Sequence, residues 1–240
     1  VARQRAAVKR AIIAVALVAV VAVSWVGLRT SALFTIEQTR VEGVRELSEQ
    51  EVIAVAAVEE GATLLSIDED AVIERLTQVP WVARVDVVRL FPSTLLISVE
   101  ERERFAMVDA GATFWSVDSA GRVLGESLPD TSTPLPVIRD VVTFEPVAGE
   151  ITDSEAVKNA IAVLKGISPE LLEMTAVVSA PSAQETALLT EGNVEVMLGR
   201  ADQLTEKSAL ALEIMREQGS GVVFIDVRSL ERPISRGLTD

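Results

Sequence analysis

The chain has 240 residues, 22 basic and 36 acidic, no cysteine and no histidine, and a net charge of −14. Without Cys or His, disulfides, thiolate nucleophiles, zinc held through either residue, and Ser-His-Asp catalysis are excluded. Five basic and no acidic residues fall in the first 29, so the remainder carries a net of −19, which repels nucleic-acid phosphates.

Ala11 to Leu28 is an uncharged run of 18 residues. At about 1.5 Å per residue it spans roughly 27 Å, close to the ~30 Å core of a bilayer. The run predicts a transmembrane helix over 11–28, the chain's one contact with the lipid bilayer. Arg3, Arg5, Lys9 and Arg10 precede it, and the first acidic residue is Glu37. Positive flanks stay inside. The expected placement is therefore single-pass in the cell membrane, with residues 1–10 as a cytoplasmic tail and the C-terminal domains extracytoplasmic. A cleaved signal peptide is the alternative. Its apolar core is usually about 7–15 residues, and Trp25, Leu28 and Arg29 suit a cleavage site poorly.

Phe34–Val41 reads as a strand ending at Gly43. Ser48 and Glu51 form a capping-box pair opening a helix over Glu49–Val58, with Gly61 placed to stop it. Asp68 caps a second helix, Glu69–Gln78. After Pro80 the period changes to two. Ala83, Val85 and Val87 share one face of Trp81–Arg89, and Leu95, Ile97 and Val99 share one face of Leu95–Glu101. The order β-α-α-β-β predicts a small sheet with two helices on one side.

A second module starts near Arg104, with short strands at Phe105–Val108, Phe114–Val117 and Arg122–Leu124. Pro129, Pro134 and Pro136 mark an irregular stretch. Thr152 and Glu155 form another capping pair, opening a helix to about Lys165. Met174–Ser179, Glu185–Thr190 and Val194–Leu198 read as strands, and a long helix follows from Asp202 to Gln218. Val222–Val227 is a strongly apolar final strand, and Leu230–Asp240 a loose polar tail.

Chemistry is scarce. Asp68, Glu69 and Asp70 complement the dipole of the helix they open, which is a more economical reading than a metal site. Glu100, Glu101 and Glu103 alternate with Arg102 and Arg104 in line along one segment, a poor arrangement for a paired acid and base. Ser66 and Ser116 lack a base at motif spacing, and phosphate-binding glycine loops are missing. Trp81 reads as a core residue rather than a ligand platform. No catalytic residue, metal ligand or cofactor site is expected, which leaves binding. A β-rich domain ending in an exposed strand can accept another strand along its edge.

The segments resemble one bacterial family. Val41-Glu42-Gly43 before Ser48, and Gly61 through Leu65-Ser66-Ile67-Asp68, match its first module. Most specific is Pro80-Trp81-Val82, continuing Arg84-Val85 to Arg89-Leu90-Phe91-Pro92-Ser93-Thr94-Leu95 and ending Val99-Glu100-Glu101-Arg102. Trp115-Ser116-Val117-Asp118 with Gly121, and Phe224-Ile225-Asp226-Val227-Arg228, match later elements in the same order. Together they are similar to the FtsQ family of division proteins, also called DivIB.

The resemblance implies an α+β fold: a transmembrane helix, a β-α-α-β-β POTRA domain over 29–103, and a mixed β-rich domain with packed helices over 104–228, then a tail at 229–240. It implies a non-catalytic divisome scaffold concentrated at the division septum. It also implies partners: FtsB-like and FtsL-like bitopic proteins and the FtsW/FtsI septal synthase complex. The last strands are expected to receive an FtsB-like segment. On that basis Val222, Val223, Phe224, Ile225, Asp226, Val227, Arg228 and Ser229 are the candidate partner edge, with Arg228 facing an acidic partner group. Ser229 departs from the aromatic residue often found there in the family. A POTRA-containing envelope transport accessory protein and a membrane-anchored envelope enzyme are the competing readings. The first lacks tandem POTRA units and a barrel here, and the second lacks a nucleophile, a base and metal ligands.

Overall fold

The computed structural model describes residues 15–21, 27, 32–128 and 135–237. The chain divides into two compact units between Glu101 and Arg102.

The expected membrane span requires correction. Among the described residues, no helix is long and apolar enough to cross a membrane. Within 11–28 the described helical stretch is 15–21. The rest of that run, apart from Gly27, lies outside the described residues, as does the expected tail at 1–10. The single-pass topology built on that span is withdrawn with it.

The first unit follows the expected order. A 3₁₀ turn, Ala32–Phe34, precedes β1 (Gln38–Glu42), α1 (Glu49–Ala56), α2 (Glu69–Thr77), β2 (Val82–Leu90) and β3 (Thr94–Glu101). The sheet order is β1-β3-β2, with β3 parallel to β1 and antiparallel to β2. The Ser48 hydroxyl accepts from the Glu51 amide and the Glu51 carboxylate accepts from the Ser48 amide, so two free helix-start donors are satisfied reciprocally. The Ser48 hydroxyl also donates to the Glu51 carboxylate at 2.7 Å, and this bond first, then that of the Ser48 amide, holds the Glu51 carboxyl below its usual range. Helix α1 stops earlier than expected, with Ala57 rather than Gly61 as its left-handed cap. The Arg75 guanidinium donates to the Ala56 carbonyl at 2.6 Å and so satisfies an orphan acceptor of that last turn.

Trp81 is only half-buried, and Ala83 is exposed rather than inward. The β2–β3 register slips between Val82 and Arg84, and this bulge puts Val82 and Val85, not Ala83, into the core beside Leu95, Ile97 and Val99. Gly43, at φ 88°, passes so close to the Val99 carbonyl that a Cβ would collide with it. Just beyond it, three successive amides, Arg45, Glu46 and Leu47, converge on the Glu101 carboxylate at 3.0, 2.9 and 2.9 Å. Arg89 pairs with Glu69 at 2.9 Å and donates to the Ile67 carbonyl, fastening β2 to the start of α2.

Among the described residues the second unit has one nine-stranded sheet. Its strands are β4 (Ala106–Asp109), β5 (Phe114–Val117), β6 (Val123–Ser127), β7 (Val137–Arg139), β8 (Thr175–Ser179), β9 (Ala187–Thr190), β10 (Glu195–Met197), β11 (Val222–Asp226) and β12 (Ile234–Gly237). The spatial order is β12-β11-β10-β9-β8-β7-β4-β5-β6. The pairings align Val108, Ile138, Val178, Leu188, Val196 and Ile225 in a row across six strands. All six lie in one core with residues of α3 (Glu155–Gly166), α4 (Pro169–Glu173) and α5 (Leu204–Gln218). Because strand side chains alternate, the neighbouring row Val137, Val177, Leu189, Glu195 and Phe224 points to the opposite face.

Helix α3 is capped by Ser154 rather than Thr152; the Ser154 hydroxyl accepts from the Val157 amide. The Thr152 hydroxyl instead accepts from the Ser154 amide and so braces the cap. Strand β7 falls beside the prolines where irregular chain was expected, helix α4 falls where no element was predicted, and β12 falls in the expected loose tail. Asp118 holds its turn by accepting from the Ala120 and Arg122 amides at 2.8 and 2.9 Å, with Gly121 at φ 84°.

Leu188→Ala should cost about 2–5 kcal/mol in urea unfolding, because its side chain is fully buried, 0% exposed, in that row. Leu189→Ala, on the opposite face and 37% exposed, should stay within roughly 0.5 kcal/mol.

Candidate partner-binding edge

The apolar run Val222–Asp226 forms β11, but β11 is not an edge. It pairs parallel with β10 on one side and antiparallel with β12 on the other. Two strands can be parallel neighbours only if the chain crosses back, and α5 makes that crossover from β10 to β11. The chain then turns through 227–233, with the Arg232 amide donating to the Ser229 carbonyl, and returns as β12. The sheet therefore ends at β12, whose outer side has no partner strand among the described residues.

The eight candidate residues separate into three groups. Val222, Ile225 and Val227 are buried in the core and out of a partner's reach. Val223 is the extra residue where the β11–β12 register slips, and Phe224 lies under the Arg236 guanidinium, 4.9 Å from the ring centre. Asp226 and Arg228 grip each other, and Arg228 and Ser229 are exposed. The expectation that Val222–Ser229 is itself the open edge is corrected for this reason: Ile234–Gly237 occupies it.

The Asp226–Arg228 pair is built from neighbours two apart. Asp226 Oδ2 accepts from Arg228 Nη2 at 2.7 Å, and Oδ1 accepts from the Arg228 amide and Nε, both at 3.0 Å. The Asp226 side chain is 12% exposed and that of Arg228 48%. The guanidinium bonds hold the Asp226 carboxyl below its usual range, against the opposing effect of burial. The same bonds raise the Arg228 pKa. An arginine so engaged keeps its charge but shows a partner only its remaining donors.

Strand β12 is short and polar. Ser235 accepts from Gln218 Nε2 at 2.6 Å, Ile234 and Arg236 are exposed, and residues 228–237 hold three arginines, Arg228, Arg232 and Arg236, to one acid, Glu231, with Arg228 already paired to Asp226. Residues 228–237 are therefore locally basic, with Asp226 and Asp240 on either side. Sequence reasoning missed β12 because four residues with one aliphatic side chain carry almost no alternation; Pro233 just before Ile234 was the available signal. Elsewhere, no group of three or more Asp or Glu among the described residues is arranged to hold a metal ion.

The family description "POTRA domain, FtsQ-type" matches residues 34–102, and "Cell division protein FtsQ/DivIB, C-terminal" matches residues 106–228. The chain belongs to the FtsQ/DivIB family. A cell division protein FtsQ from Myxococcus fulvus is 29% identical over 205 residues, covering 84% of this chain and 71% of that protein. One from Geobacter is 26% identical over 204 residues, covering 82% and 74%. One from Streptomyces griseus is 41% identical over 92 residues, covering 38% of this chain and 44% of its own. As an FtsQ/DivIB protein the chain is a non-catalytic component of the divisome, acting in septum formation through protein–protein contacts.

A carboxyl with a pKa lowered in the folded state stabilises fully above its unfolded value of about 3.9, and less as pH falls through the folded value. The stability gap between the native chain and Asp226→Asn should therefore shrink as pH drops from about 5 to about 2. Denaturant unfolding across that range reads it; a gap independent of pH would mean that charge on Asp226 contributes nothing.

Proposed function

We propose that this protein receives an extended segment of an FtsB-like division protein along the outer side of β12, with an FtsL-like protein in the same complex, and thereby engages the FtsW/FtsI septal synthase. Main-chain hydrogen bonds along the outer side of β12, which has no partner strand among the described residues, would supply affinity and alternate side chains selectivity. The position of β12 as the outermost strand of the sheet among the described residues, with Arg228, Arg232 and Arg236 in or beside it, carries the reading. That charge favours an acidic partner segment and speeds its encounter more than it tightens the complex. In the same reading residues 29–103 form a contact module of their own, and residues 104–228 with β12 form the strand-accepting one.

Depletion of the protein in its native bacterium should give long cells lacking septa, rescued by the wild-type chain. Normal division after depletion would sink the reading. In purified form, Arg236→Glu should weaken capture of the FtsB-like protein of the same bacterium roughly tenfold, about 1.4 kcal/mol, while circular dichroism stays unchanged. Unaltered capture by a folded Arg236→Glu chain would remove the basic edge from the interface.

A further inference from the structure

The loop from β10 to α5, residues 198–203, is held at successive peptides by side chains from two helices. From α5, Lys207 Nζ donates to the Leu198 carbonyl at 2.9 Å, the Arg200 carbonyl at 3.2 Å and the Asp202 carboxylate. From α3, Asn159 Nδ2 donates to the Gly199 carbonyl at 3.0 Å, and its Oδ1 accepts from the Ala201 amide at 2.9 Å. Asn159 Nδ2 also reaches the Thr186 hydroxyl at 2.8 Å, while the Leu198 and Gly199 amides donate to the Thr186 carbonyl at 3.0 and 2.8 Å. Lys207 is 2% exposed. Burying an ammonium is costly unless its donors are met, and here three donors find three acceptors.

The centre of this clasp is Gly199. Its φ of +69° favours glycine, and a Cβ there would stand 3.0 Å from the Gln184 carbonyl and 3.1 and 3.3 Å from Cγ and Cδ of Arg228. The stem of Arg228 therefore lies over the bare Cα of Gly199 while Asp226 grips its head. We infer that Gly199, Asn159 and Lys207 are positioning residues of the partner site: they fix the loop at the one height that lets Arg228 lie flat and present its free guanidinium edge. This rests on the reading above, in which Arg228 meets an acidic partner segment. Fixing the side chain in advance removes part of the ordering cost of binding.

The test uses the full chain and two readouts. In ¹⁵N spectra, the Arg228 Nε–Hε signal, identified by its loss in Arg228→Ala, should be resolved and slow to exchange in the native protein. Gly199→Ala should move it toward the position of a free arginine while the β11 amide signals stay. Asn159→Ala, which loosens the loop without crowding it, should act the same way to a smaller degree and covers the case in which Gly199→Ala fails to fold. An Arg228 signal unchanged in a folded variant overturns the inference. In the second readout, capture of the FtsB-like protein of the same bacterium, Gly199→Ala should cost several-fold alone and nothing further in an Arg228→Ala background. Equal losses in both backgrounds also overturn it. If Arg228→Ala alone leaves capture intact, the arginine contact of the proposed function fails, and the Nε–Hε signal still decides whether the shelf positions Arg228.

Discussion

An open sheet must end somewhere, and the ends of this one govern the rest of the second unit. The nine strands of the described sheet leave two outer strands, β6 and β12, each with a neighbouring strand on one side only. At the β6 end the chain partly covers its own edge: the Val123 amide donates to the Glu150 carbonyl and the Gly149 amide donates to the Val123 carbonyl. At the β12 end no further strand pairs with the sheet among the described residues. The strand there is four residues long and carries arginine, features that blunt indiscriminate pairing while leaving room for a matched segment.

The edge is precise because the strand behind it is rigid. Strand β11 is anchored by Val222 and Ile225 in the core, by its parallel pairing with β10, and by the Val227 amide bonded to the Met197 carbonyl. Asp226 then uses its carboxylate to fold the outgoing chain back, taking the Arg228 amide and guanidinium together. The same residue thus ends β11, starts the turn to β12 and orients an arginine beside the edge. Gly199 and the Lys207–Asn159 clasp set the height of the surface beneath that arginine.

Much of this was legible in the residues. Ser48 with Glu51, Asp68, and the alternation of Leu95, Ile97 and Val99 place two helices and a strand of the first unit correctly, because capping and period-two burial are local. The bulge at Ala83 was not legible: it depends on how β2 meets β3, not on β2 alone. Strand β7 escaped because three residues beside prolines give no periodicity, and they form a strand only between β4 and β8. The candidate edge was one strand out for a similar reason. Val222–Val227 is the most apolar strand near the end, and that very apolarity belongs to a strand with neighbours on both sides. The network around Lys207 joins residues up to about forty positions apart and leaves no local pattern to read.

The most direct test is hydrogen exchange on the full chain with and without the FtsB-like protein of the same bacterium. If a partner strand adds to β12, outward-facing amides within Ile234–Gly237 should become strongly protected on binding, with β6 amides unchanged. Protection elsewhere, with the amides of Ile234–Gly237 exchanging as fast as in the free protein, would contradict strand addition at this edge.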